Sequence, residues 1–270
     1  MIETVSIVGV GLIGGSFGLA LKQAGFTGKI LGVSSERSID AALAIGAIDQ
    51  AATLEQAARQ SDLIFLSQPV EAIVRTIALL NQYVQPHALV TDAGSTKRVI
   101  ANAARQSLSN VQFLGGHPMA GKEVRGAEAA EANLFKNRTW VLTGSTGSPI
   151  EIEFREWLSK IGARELLLEA GEHDRLVAWS SHLPQLASTA LAATLHDHAP
   201  GAAKVAGPGL LDATRLAMSS YDLWREILDT NPDQIDLALN AYIERLQQLR
   251  TDIAGEFAKG TAFARRIRKS

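Results

Sequence analysis

VSIVGVGLIGGS, residues 5–16, decides how the rest of the chain is read. VSIVGV is a strand-length run of β-branched and aliphatic residues. It leads into Gly9, Gly11 and Gly14, spaced G-x-G-x-x-G. Such a triplet alone also occurs in empty turns, but here it follows an apolar strand and opens a helical pattern. In that setting the first glycine permits a tight turn, the second lets backbone approach a pyrophosphate, and the third packs helix on strand. The helix start offers N–H groups and a positive dipole end to the phosphates. Gly9, Gly11, Leu12, Ile13 and Gly14 are therefore expected to bind a dinucleotide.

Beyond this turn the pattern repeats. Strand-length runs follow at KILGV (29), DLIFLS (62), ALVTD (88), VQFLG (111), TWVLTG (139) and RELLLE (164). Between the first several lie helix-length segments with apolar spacing of three and four, such as FGLALKQAG at 17 and EAIVRTIALLNQYV at 71. This alternation predicts an α/β fold, a Rossmann-type doubly wound parallel sheet with helices on both faces. After Glu169 no further strand is expected and helical periodicity takes over. The expected division is a dinucleotide-binding domain over 1–169 and an all-α substrate and dimerisation domain over 170–270. The last long helix opens at Asn231-Pro232-Asp233, with Asn as cap and Pro in the first turn. Ile235, Leu239, Tyr242, Leu246, Leu249 and Ile253 form a heptad-like seam along it, suited to an intradomain bundle or a subunit interface.

Composition narrows the function. The 270 residues carry 26 basic and 28 acidic side chains, a net charge of -2, so no overall field favours nucleic acid or an anionic membrane. There is no cysteine, hence no disulfide framework or thiolate chemistry. No apolar stretch reaches the roughly 18 residues of a membrane span, and the N-terminus has no signal-like region. A cytoplasmic protein with a small-molecule partner is expected.

The coenzyme is read at the end of the second strand, where an NAD site usually places an acid about 20 residues past the glycines. Here stands GVSSERS, with hydroxyls at Ser34 and Ser35 and a guanidinium at Arg37 in place of a charge that would repel a 2′-phosphate. NADP is favoured over NAD, with Glu36 able to take the ribose if the register shifts by little.

Ligands of doubly wound sheets sit beyond the carboxyl ends of the strands. That rule selects SQPVE after the third run, DAGSTK after the fourth and GGHPMAG after the fifth. Ser67, Gln68 and Pro69 are expected to border the nicotinamide ribose, and Asp92 to bind the coenzyme. Ser95 faces the cleft or caps the next helix. His117, with Gly115 and Gly116 before it and Pro118 after it, is expected in a stiff loop at the cleft mouth. Imidazole titrates near 6.5 and can accept a proton near neutral pH, as oxidation of a hydroxyl requires.

Taken together, G-x-G-x-x-G, D-x-x-S-x-K, G-G-H-P-M-A-G, S-H-L-P and D-x-T-R, in this order and spacing, resemble the prephenate/arogenate dehydrogenases of tyrosine biosynthesis, over nearly the whole chain. The resemblance implies oxidative decarboxylation of prephenate or arogenate to 4-hydroxyphenylpyruvate or tyrosine, with no metal, in a homodimer joined through the helical domain. It makes His117 the residue that polarises or deprotonates the substrate C4 hydroxyl, and Ser95 its hydrogen-bonding companion. It makes Arg215 the carboxylate-binding residue and His182, on a stretch that Pro184 kinks, a contact for the substrate side chain. His173-Asp174 reads as a capping pair, and His87, His196 and His198 as surface residues. Lys97, Lys122 and Arg125 have no assigned role. A β-hydroxyacid or imine reductase, and a non-catalytic NADP-binding regulatory protein, are the competing readings.

Overall fold

A computed structural model describes residues 1–109, 111–122 and 124–268. In chain order the elements are β1 (Thr4–Val8), α1 (Leu12–Gln23), β2 (Lys29–Val33), α2 (Glu36–Ala44), β3 (Gln50–Ala51), α3 (Leu54–Gln60), β4 (Leu63–Leu66), α4 (Val70–Leu80), β5 (Leu89–Asp92), α5 (Arg98–Ser107), β6 (Gln112–Pro118), β7 (Thr139–Thr143), α6 (Pro149–Lys160) and β8 (Arg164–Leu167). They continue as α7 (Ala170–Val177), α8 (Leu183–His198), α9 (Pro208–Thr214), α10 (Tyr221–Thr230), α11 (Pro232–Gln248) and α12 (Ile253–Ile267). The chain forms two compact units, one of Met1–Arg175 with Met218–Thr230, the other of Leu176–Ala217 with Asn231–Ser270. The first compact unit thus runs a few residues past Glu169, to Arg175, and α10 returns to it.

Among the described residues the first unit holds one eight-stranded sheet, ordered β3-β2-β1-β4-β5-β6-β7-β8. The fully buried strands show why. Leu63 and Phe65 of β4 belong to one core layer, with Phe17, Trp140 and Phe154, while Ile64 and Leu66 belong to the other, with Ile73, Ile77, Val90 and Ile100. A strand apolar at every position must be covered on both faces, which is what α1 and α6 on one side and α4 and α5 on the other achieve. Each large side chain so buried contributes roughly 1.5–3 kcal/mol. Phe17 and Phe65 pack as a tilted pair, ring centroids 4.4 Å apart, in the aromatic layer.

Two features of the sheet depart from the expected seven-stranded parallel arrangement. The two-residue β3 has no apolar run to announce it, since Gln50 and Ala51 are both exposed. The second departure shapes the site. β6 pairs in parallel with β5 only up to Thr91↔Leu114. Beyond that it overshoots β5 and pairs antiparallel with β7, Gly115↔Thr143 through Pro118↔Trp140.

In the second unit the expected long helix is broken. α11 ends at Gln248, and Asp252 caps α12 by accepting a hydrogen bond from Gly255 N at 2.9 Å. The expected seam therefore divides between two helices, leaving Ile253 at the start of α12. Pro184 does not simply kink a helix either. The chain forms a π-turn at Ala178–His182 and restarts as α8 with Pro184 in its first turn. The wider turn accommodates the missing proline N–H. No helix among the described residues is long and apolar enough to cross a membrane.

Candidate active site

The glycine turn stands where the sequence places it. Gly9 holds φ +95°, a conformation that side-chain-bearing residues rarely adopt. A Cβ on Gly14 would lie 2.5 Å from both Gly9 O and Ser67 Oγ, so this glycine lets α1 seat against the β4 loop. Over Gly11 a Cβ would meet nothing within 4 Å. The space is reserved from the protein itself, and α1 begins there with no side-chain cap and no acid in its first turn. That arrangement fits a dinucleotide pyrophosphate. Gly11→Ala, at a negative φ of −101°, should leave the melting temperature nearly unchanged. Crowding by its methyl group should cost roughly 1–3 kcal/mol of coenzyme binding, or about five- to 150-fold in Kd. Gly14→Ala should lose both fold stability and binding; calorimetric melting and coenzyme titration separate the two, and equal effects of both substitutions would contradict this division.

Above the turn lies a cleft of about 430 Å³ within the first unit. Gly11, Leu12, Ile13, Ser67, Gln68, Pro69 and Ser95 line it together, as does the Ala120–Lys122 segment just after His117. α10 supplies a wall that sequence reading missed, with Asp222, Leu223, Trp224, Glu226 and Ile227. It is fixed at two points. Glu226 Oε2 accepts from Glu71 N at 3.1 Å at the start of α4, and Thr230 and Thr96 share a hydroxyl hydrogen bond of 2.8 Å. Lys122 and Arg125 also line the cleft, Lys122 paired with Glu131 at 2.9 Å and Arg125 donating to Ser220 Oγ at 2.6 Å.

Ser34, Ser35 and Arg37 are exposed between β2 and the first turn of α2, where Glu36 is the opening residue. Asp92 is placed otherwise than expected. It is fully buried, and its carboxylate accepts from Gly94 N at 2.8 Å and Gly116 N at 3.0 Å and pairs with the Lys97 ammonium. Its oxygens are spent inside the protein, so it braces the site from beneath instead of meeting a coenzyme. Lys97, buried as well, also donates to Gly116 O at 2.7 Å. Burial pushes its ammonium below the ordinary 10.5, and Asp92 opposes that push. Asp92 and Lys97 thus grip both the N–H and the C=O of the residue preceding His117.

His117 lies within β6, on the part that overshoots β5, and not in a loop. The glycines before it serve packing: a Cβ on Gly116 would stand 2.4 Å from Asp92 O, and one on Gly115 2.3 Å from Thr143 Oγ1. His117 Nδ1 lies 2.8 Å from His173 Nε2, and His173 Nδ1 lies 2.8 Å from Asp174 Oδ1. The His173-Asp174 pair is therefore no terminal cap of its own helix; it sits inside α7 and reaches across to the strand. Asp174 does cap another helix, α5, by accepting from Lys97 N at 2.6 Å and Arg98 N at 2.9 Å. Ser95 precedes that helix by three residues and is not its cap. In the sequence, an adjacent His-Asp in an amphipathic helix was the only signal of this.

His182 and Arg215 belong to the second unit. His182 is buried, with Nδ1 3.5 Å from the amide of Asn231, itself fully buried at the start of α11. Asn231 holds the cap position but makes no side-chain cap bond. Arg215 is exposed at the start of a 3-10 turn following α9.

A glycine-turn cleft on a doubly wound sheet, with Ser95 in its wall and a braced imidazole on the neighbouring strand, is the arrangement expected of a dinucleotide-dependent dehydrogenase. Models for the prephenate dehydrogenase nucleotide-binding domain and the prephenate dehydrogenase dimerization domain match residues 17–167 and 169–265. The chain belongs to the prephenate dehydrogenase family. A prephenate dehydrogenase of Lactococcus lactis subsp. cremoris is 36% identical over 86% of this chain, which spans 66% of that protein. The crystal structure of A. aeolicus prephenate dehydrogenase with hydroxyphenyl propionate and NAD+ superimposes with a TM-score of 0.87 at 29% identity, covering 99% of this chain and 96% of that one. Synechocystis arogenate dehydrogenase gives 0.79 at 30% identity, over 98% and 96%. Neither the β-hydroxyacid or imine reductase reading nor the non-catalytic one is favoured by these relatives.

Proposed function

We propose that the protein carries out NAD(P)-dependent oxidative decarboxylation of prephenate, arogenate or both, yielding 4-hydroxyphenylpyruvate or tyrosine. The observation that carries this reading is His117, braced through His173 to Asp174 and held on the strand that leads into the Ala120–Lys122 wall of a cleft also lined by Ser95 and the open glycine turn. His117 accepts the hydrogen bond, and then the proton, of the C4 hydroxyl, and Ser95 fixes the geometry. The coenzyme, when bound, supplies the hydride acceptor for C4. Carbon dioxide leaves from C1 and the ring becomes aromatic, which makes the reaction irreversible. Arg215 holds a substrate carboxylate through its planar guanidinium, and His182 contacts the three-carbon side chain.

NADP is the preferred coenzyme in this reading, because Ser34, Ser35 and Arg37 offer donors and a positive charge to a 2′-phosphate. The protein acts in the cytoplasm as a homodimer joined through its second unit, where Leu237, Ile253 and Phe257 are each more than 60% exposed in the single chain. Purified protein given prephenate or arogenate with NAD+ or NADP+ is expected to produce reduced nicotinamide, faster with NADP+ at limiting coenzyme. No reduction in any of the four mixtures would overturn the proposal, and a preference for NAD+ would overturn the coenzyme assignment alone.

A further inference from the structure

We propose that His173 is a positioning residue that sets the tautomer of His117, holding the proton on Nδ1 so that Nε2 is the accepting nitrogen. The inference rests on the reading of His117 as proton acceptor, and its reasoning begins at Asp174. That carboxylate is fully buried. Burial alone would raise its pKa, but hydrogen bonds from His173, Lys97 N and Arg98 N outweigh it and hold the group below the ordinary 3.8. Arg98 Nε adds a further contact at 3.3 Å, and the Lys97 ammonium contributes a favourable charge interaction. Asp174 is ionised near neutral pH and can only accept.

The remaining assignments follow in sequence. His173 Nδ1, 2.8 Å from Asp174 Oδ1, must carry a proton. A neutral imidazole has one donor and one acceptor nitrogen, so His173 Nε2 is an acceptor. The atom facing it at 2.8 Å is His117 Nδ1, which must donate. A neutral His117 then has its lone pair on Nε2. The two rings meet nearly edge to face, 5.1 Å apart at 67°, and His173 is wholly buried between its two partners, Asp174 and His117. Because Asp174 also caps α5, one carboxylate ties the imidazole's protonation pattern to the start of the helix that follows Ser95.

The test is a long-range proton–nitrogen spectrum of protein labelled with nitrogen-15 histidine, free of ligands, at about pH 8.5, above the ordinary imidazole range. His117 is expected to be protonated at Nδ1 and bare at Nε2. In His173→Leu that preference should vanish, with kcat falling about 10²-fold and KM changing by less than about threefold. His173→Gln, whose side-chain carbonyl can still accept from His117, should retain kcat within about tenfold of the wild type. A wild-type His117 protonated at Nε2 overturns the inference. So does a His173→Leu protein with unchanged tautomer and turnover. The wild-type spectrum decides even if the leucine variant does not fold. It is also independent of substrate, so a failed turnover assay would remove the proposed reaction and leave the tautomer assignment standing.

Discussion

Replacing His117 with asparagine is expected to lower kcat on prephenate or arogenate by about 10³-fold, with KM and coenzyme affinity changed little. The reasoning is local. Backbone pairing of residue 117 with Val141 does not depend on the side chain, so β6 should keep its course. The asparagine amide can still donate toward His173 Nε2, in place of the ring Nδ1. What it cannot do is take a proton from the substrate near neutral pH. An effect confined to turnover, with melting temperature preserved, is the signature of a lost proton acceptor. If the variant kept more than about a tenth of wild-type kcat, the role assigned to His117 would have to be given up.

Lys97→Met is expected to have the largest effect on stability, roughly 3–5 kcal/mol, because it leaves the Asp92 carboxylate buried without its cation. Thermal unfolding should move down by about 10 °C or more for a unit of this size. Adding Asp92→Asn should recover part of the loss, since a neutral amide is less costly to bury than a lone charge, although only its single oxygen can accept from Gly94 N or Gly116 N. Turnover measured well below the melting point should also fall, since Lys97 no longer holds the Gly116 carbonyl next to His117. A single variant melting within about 2 °C of the wild type would show that the buried pair contributes little.

Much of this architecture was legible because its signals are local. Strand β4 is apolar at every position and so announces a sheet covered on both faces, and the glycine spacing fixes where the first helix begins. The features that escaped depend on long-range pairing. Nothing in QFLGGHP says that β6 changes neighbours after Leu114, because the switch is made by β7, more than twenty residues later. The link between His117 and His173 spans 56 residues, and only folding brings a helix interior against that strand. Asp92 illustrates a different limit. A carboxylate at the end of a strand reads as ligand-facing, yet burial beside Lys97 turns it inward. The break before Ile253 was within reach, because Thr251-Asp252 carries a good capping residue, but the regular spacing of Leu246, Leu249 and Ile253 concealed it.

The return of α10 to the first unit means that the chain passes between the units three times, at Arg175/Leu176, Ala217/Met218 and Thr230/Asn231. No single scission can then liberate a whole nucleotide-binding half. A fragment stopped at residue 175 would be missing one wall of its own cleft and would bare the side of α4 that α10 shields. Shuffling halves between homologues would for the same reason require three junctions, with the thirteen residues from Met218 to Thr230 travelling with the N-terminal parent.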